Sequence, residues 1–283
     1  MIKIRALLRN GTLIQVLFLF LLSISCMDSA PVLSDEMIER ELMRKNHICK
    51  WTEFKAITFA GIKQNEFPVF IREFYSDGKV RSEKQFSKDS LLDCLTSLYY
   101  NTAGNLDSTI ALNADSSLLY RILIDYDEKG RRKELFFYLP DGTYKYRNVS
   151  EYNSENQLMV LSWYWPDGFK AKNVYLYSGS KLMSDTELGP GDVFHYVWNY
   201  VYDSGGHLVL AEQRYPDRQI NSRILYKYDD AGNRISEIHE NRTGFQSRIE
   251  YSYNTAGLRM SAREFSASGR VTAEHRYDYE YFK

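Results

Sequence analysis

Tyr226-Lys227-Tyr228-Asp229-Asp230-Ala231-Gly232-Asn233-Arg234 is the clearest copy of a unit that returns along most of the chain. Its anchor, Tyr228, has counterparts at Tyr100, Tyr126, Tyr152, Tyr177, Tyr202, Tyr253 and Tyr279, spaced 25 or 26 residues apart. A fixed period of that size marks a repeat architecture. A polar turn follows most anchors: Asn101 to Gly104, Asp127 to Gly130, Asn153 to Asn156, Asp203 to Gly206, Asp229 to Gly232 and Asn254 to Gly257. Asp or Asn opens the turn because its side chain accepts hydrogen bonds from amides further on. Gly or Asn closes it, as expected where φ is positive.

A second turn falls midway in most periods: Ser76-Asp77-Gly78, Pro140-Asp141-Gly142, Pro166-Asp167-Gly168, Pro216-Asp217-Arg218, Arg242-Thr243-Gly244 and Ala267-Ser268-Gly269. Asp-Gly between alternating apolar runs is a strong hairpin signal. Between turns the pattern alternates with period two: Ile249, Tyr251 and Tyr253 share one face, and Arg248, Glu250 and Ser252 the other. Val271, Ala273, His275, Tyr277 and Tyr279 form a comparable row. Each period is therefore two strands. The fold expected is all-β, an antiparallel meander repeat array with a period of about 26 residues. About 18 strands at roughly 4.8 Å each make a sheet on the order of 80 Å wide. Twisted sheets of that width curl or split, so the expectation is an elongated, twisted or curled sheet.

The Tyr-Asp-x-x-Gly-x-Arg/Leu pattern resembles the YD-repeat, or rearrangement hot-spot, family. Tyr126-Asp127…Gly130, Tyr202-Asp203…Gly206 and Tyr228-Asp229…Gly232 carry it fully, and Tyr253-Asn254…Gly257 carries it with Asn for Asp. The resemblance spans residues 70–283 and implies continuous β-sheet. Large members of that family curl such sheet around a toxin domain. This chain has a longer period and no appended toxin domain, so the resemblance implies a fold and no activity.

Residues 1–25 read as a targeting segment. Lys3, Arg5 and Arg9 precede an apolar core from Leu13 to Leu22, too short for a transmembrane helix. Leu22-Ser23-Ile24-Ser25-Cys26 resembles a bacterial lipobox, which makes Cys26 the expected lipid attachment site. Residues 26–48 are then a tether with a short helix over 34–46, in which Met37, Ile38 and Leu42 share a face. Residues 49–283 form one domain, 49–99 an irregular capping part and 100–283 the regular repeats. The expected location is a bacterial membrane surface, outer membrane or cell surface, with the lipid anchor as the membrane partner.

Basic and acidic residues nearly balance, 36 against 37, which gives no electrostatic footprint for nucleic acid. Cys49 and Cys94 lie about three strands apart, roughly 14 Å by strand spacing, beyond the ~7 Å a disulfide spans. The histidines, His47, His195, His207, His239 and His275, show no metal-ligand spacing. Nucleophile-elbow, phosphate-loop and zincin motifs are absent from the sequence. The expectation is a non-catalytic chain without cofactor or metal, acting through its repeat β-sheet surface as a binding or scaffold module for an unknown protein or glycan; the alternatives are a glycan-binding module using the aromatic rows and an enzyme with a loop-built site. Trp163 and Trp165, on one face beside the Pro166 turn, are the candidate binding residues. The apolar residues Leu119, Leu123, Leu135 and Phe137 are expected to be covered when the sheet curls, with Trp163 or Trp165 left partly exposed.

Overall fold

The computed structural model describes residues 35–283. Helix α1 (Asp35–Lys45) leads into nineteen strands. They are β1 (Ile48–Phe59), β2 (Ile62–Lys63), β3 (Phe67–Phe74), β4 (Val80–Phe86), β5 (Leu92–Tyr100), β6 (Leu106–Asn113), β7 (Leu118–Tyr126), β8 (Arg132–Tyr138), β9 (Tyr144–Tyr152) and β10 (Leu158–Trp165). The second half continues with β11 (Gly168–Ser178), β12 (Lys181–Leu188), β13 (Phe194–Tyr202), β14 (Leu208–Arg214), β15 (Ile220–Tyr228), β16 (Arg234–Asn241), β17 (Gly244–Tyr253), β18 (Arg259–Ser266) and β19 (Val271–Tyr281). From β3 to β19 each strand pairs antiparallel with the next in sequence. The two-residue β2 only extends the tip of β1.

The ends of the meander meet. β1 pairs with β3 on one side and with β19 on the other, from Ile48↔Tyr281 to Ile57↔Ala273. The result is a closed 18-strand barrel, not the elongated sheet expected from the repeat. Closure removes the two unpaired edges that an open sheet of this width would expose. Residues 49–99 accordingly do not cap an array. They supply β1, the strand that seals it.

The turns explain the curvature. Asp127 N–H donates to the Arg131 carbonyl and Gly130 N–H to the Asp127 carbonyl, while Asp127 Oδ1 accepts from Lys129 and Arg131 amides. Asp203, Asp229 and Asn254 build turns on the same plan. Gly130, Gly206, Gly232 and Gly257 have φ of 75°, 91°, 82° and 79°, as the recurrence predicts. Each such turn carries a bulge beside its anchor, for example between Asp125 and Tyr126 and between Lys227 and Tyr228. A bulge bends its strand and increases its twist, and repetition around the ring closes it.

The anchor tyrosines point inward and hold one rim. Tyr100, Tyr126, Tyr152, Tyr202, Tyr228, Tyr253 and Tyr279 each donate a hydroxyl hydrogen bond of 2.7–2.9 Å to a backbone carbonyl 19 or 20 residues earlier, at the start of the neighbouring strand. At four turns the residue that leaves the turn covers the next ring: Lys79 over Tyr100, Arg131 over Tyr152, Lys181 over Tyr202 and His207 over Tyr228. Ser76-Asp77-Gly78 belongs to this rim, not to the midway turns. Buried Phe74 is its anchor, one period of 26 residues before Tyr100.

The two faces of the wall differ. Tyr120, Ile122, Ile124, Leu135, Phe137 and Tyr146 face inward and are buried. Tyr120, Phe137 and Tyr146 stack in sequence at centroid spacings of 5.1 and 5.0 Å. Leu135 and Phe137 are covered as expected. Leu119 is half-buried against this core, but Leu123 lies half-buried on the outer face opposite Phe136. The outer face carries cross-strand ion pairs, Glu73–Lys84, Glu134–Arg147, Glu212–Arg223 and Arg263–Glu274. A lipid-facing wall carries an apolar band instead, and a midplane Arg or Lys there costs about 2–4 kcal/mol. These ion pairs depart from that pattern.

Candidate functional site

Helix α1 lies in the mouth of the barrel at the tyrosine rim. Its chemistry explains the docking. Met43 is buried among core residues of the rim, and Leu42 packs beside Gly257. This differs from the expected face: Met37 and Ile38 are exposed. Glu39 accepts from Trp51 Nε1 at 3.0 Å and pairs with Arg72, which also pairs with Glu83 on β4 at 2.5 Å. Arg40 donates to the Asp77 carbonyl at 3.4 Å, and a methyl group added at Gly78 would stand 2.2 Å from the Arg40 carbonyl oxygen. The helix backbone therefore rests directly on a glycine of the β3–β4 turn.

Between α1 and the wall lies a cavity of about 490 Å³. Trp51, Tyr228, Tyr253, Tyr277 and Tyr279 give it aromatic surface, and Arg72, Arg234, Arg259, Glu39 and Glu53 give it charge. A volume of this size, with aromatic walls and a few polar groups, is typical of small-ligand sites. Arg259 stacks on Tyr251 with its guanidinium carbon 4.4 Å from the ring centre, and stands 5.6 Å from that of Tyr277.

Beside the cavity, the closing seam holds a chain of charges. His275 on β19 contacts Glu53 on β1 at 2.6 Å through Nδ1 and Glu264 on β18 at 2.7 Å through Nε2. Lys55 reaches Glu264 at 2.9 Å. Burial opposes charge on His275, but the hydrogen bonds to Glu264 and Glu53 outweigh it and raise its pKa. The hydrogen bond from His275, helped by Lys55 and opposed by burial, holds Glu264 down at about 2. With a carboxylate at each ring nitrogen, the imidazole bridges the seam and its protonated form is favoured. His275 is thus more than the ordinary strand residue its sequence context suggested.

A second inward cluster lies on the opposite wall. Trp163 Nε1 donates to Asn173 Oδ1 at 3.1 Å, and Asn173 Nδ2 donates to Asp185 at 2.9 Å. Burial pushes Asp185 up to about 6, Asn173 partly offsets it, and Glu187 adds repulsion. Tyr196 donates to Glu187 at 2.6 Å.

Trp163 and Trp165 do not line the helix cavity. Trp163 packs half-buried against Tyr146 on the inner wall. Trp165 stands at the opposite rim, 53% exposed, with Lys170 over its ring. One of the pair is exposed, as expected, but the two are not a shared patch. Tyr228, Gly232, Tyr253 and Gly257 belong both to the repeat turns and to the cavity wall. Cys26 lies outside the described residues. Cys49 and Cys94 are free. Among the described residues no group of three or more His, Cys, Asp or Glu side chains has the arrangement of a metal site. The sequence reading missed Trp51, Arg72 and Arg259. Trp51 sits opposite Tyr279 only because the barrel closes.

No protein-family model matches the sequence, and no curated protein matches it. Among solved structures the chain is similar to a porin-like protein from Bacteroides uniformis, at 13% identity over 82% of this chain and 98% of that one, TM-score 0.45. A porin-like protein from Bacteroides vulgatus is similar at 10% identity over 83% and 99%, TM-score 0.36. The TcdB2-TccC3-Cdc42 structure is similar at 14% identity over 81% of this chain, TM-score 0.35, and the chain spans only 16% of that one.

Proposed function

We propose that the chain is a non-catalytic cell-envelope lipoprotein whose barrel is a binding module, with its ligand seat in the cavity beneath α1. One observation carries this reading: the cavity of about 490 Å³ is lined by five aromatic rings, and most of its charged groups are tied into ion pairs. Groups locked in this way position a ligand rather than exchange protons with it. The charged outer wall supports a barrel held at a membrane through Cys26 rather than one that spans it. The hydrogen-bonded Tyr-Asp-x-x-Gly turns support kinship with the YD-repeat family.

The binding surface in this reading is lumenal, where the repeat β-sheet surface was the expectation. A glycan array with the described domain tests this. Wild type should retain a set of ligands that Trp51→Ala loses, both proteins being assayed well below their melting temperatures because the substitution also removes packing at the seam. Equal retention by both proteins would remove the cavity from the account. Metabolic labelling with a fatty-acid probe should mark the full chain and spare Cys26→Ala.

A further inference from the structure

The charges around the cavity are not evenly matched. Glu39 and Glu83 are both held by Arg72. Glu53 is held by His275, at 2.6 Å, and Arg234 pairs with Glu237 at 3.1 Å. Arg259 is different. Among the described residues no carboxylate lies within ion-pair distance of it, and its Nε is buried without a hydrogen-bond acceptor. Its neighbours are the rings of Tyr251 and Tyr277 and the Tyr277 hydroxyl, a neutral hydrogen-bond partner. Cation–π contact holds the guanidinium in place but leaves its forked donors without an anion.

The aromatic side of the cavity has its own bias. The hydroxyls of Tyr228, Tyr253 and Tyr279 already donate to the Leu208, Arg234 and Arg259 carbonyls at 2.9, 2.8 and 2.7 Å. What these side chains offer a ligand is ring surface. Trp51, whose Nε1 is committed to Glu39, offers the same. Rings with their polar atoms spent stack on an apolar face, such as the C–H face of a pyranose. A cation without a counter-ion takes an acid group, and a guanidinium takes a carboxylate through two parallel bonds.

We infer that the cavity beneath α1 takes an acidic saccharide, with the sugar carboxylate on Arg259 and a pyranose face on the aromatic wall. This rests on the proposed role of the cavity as the ligand seat. The volume accommodates one or two sugar rings, at the small end of the usual range for ligand sites.

Isothermal titration with glucuronate and with glucose tests it in the wild-type domain, with no variant needed. Glucuronate should bind at least about tenfold more tightly than glucose. Arg259→Gln should bring the two together, and Arg259→Lys, which keeps the charge and the buried stem, should retain part of the preference. Melting temperatures verify that both variants fold, and the wild-type comparison decides the matter if Arg259→Gln does not. Equal binding of the two sugars by wild type, or a preference that survives in folded Arg259→Gln, overturns the acidic-ligand inference and leaves the cavity a ligand seat. Binding of neither sugar, with glycan-array retention unchanged by Trp51→Ala, overturns both.

Discussion

Gly232 adopts φ +82°, and a methyl group added there would sit 3.2 Å from His207 Nε2. A β-branched side chain is excluded from this region of backbone space and would also press on the imidazole stacked over Tyr228. Gly232→Val should cost about 1 kcal/mol or more, read as a lower denaturant midpoint at unchanged slope. Asp185 gives a prediction of opposite sign. Its folded pKa, about 6, lies above the ordinary 3.8 because the carboxylate is buried. Its contribution to stability is complete below about pH 3.8 and is lost as pH rises through about 6. Asp185→Asn keeps an oxygen to accept from Asn173 and carries no charge. Its melting temperature should exceed that of wild type at pH 7, with the difference shrinking toward pH 4.

Helix α1 stays in the mouth because the β3–β4 turn lets its backbone approach a glycine. Gly78→Ala places a carbon 2.2 Å from the Arg40 carbonyl at φ +80°. The helix must move, so hydrogen exchange across 35–45 should accelerate by at least about tenfold, while the strands of the far wall stay protected. The seam between β18, β19 and β1 has a pH window set by two groups. Glu264, held at about 2, supports folding above its ordinary range and loses that support as pH falls from about 4.5 to 2. His275, with a raised pKa, supports folding below about 6.5 and loses that support as pH rises through its folded value. The seam is therefore tightest between about pH 5 and 6.5. In a pH series of melting temperatures, His275→Gln should flatten the decline above that window. An unchanged alkaline limb would assign the decline to other groups.

At the scale of the molecule, closure brings the two ends of the barrel-forming segment together. Phe282 N–H donates to the His47 carbonyl at 2.8 Å, and Ile48 faces Tyr281 across the seam. A circular permutant joining residue 281 to residue 48 through a short linker, with α1 omitted and new ends in the exposed 166–168 turn, should fold cooperatively. Its far-ultraviolet circular dichroism should match that of wild type. In an open sheet of the same strands the ends would lie on the order of 80 Å apart, and no short linker could join them.

The period, the turn chemistry and the inward row of tyrosines were legible in the sequence because each depends on residues close in the chain. Asp229 bonds amides two and four residues on, and Gly232 answers to a local backbone angle. The phase of the Gly78 turn was misread because its anchor is Phe74, so a search for tyrosine passes it by. Closure and the ligand seat depend on contacts distant in sequence. Lys50 meets Glu280, 230 residues away, and Trp51 meets Tyr279. Whether β19 arrives beside β1 follows from twist and bulge bend summed over every hairpin. A small error per strand in that sum separates an open sheet from a closed ring. Local chemistry determined the hairpin; only the tertiary structure decided the barrel, its mouth and the cavity beneath α1.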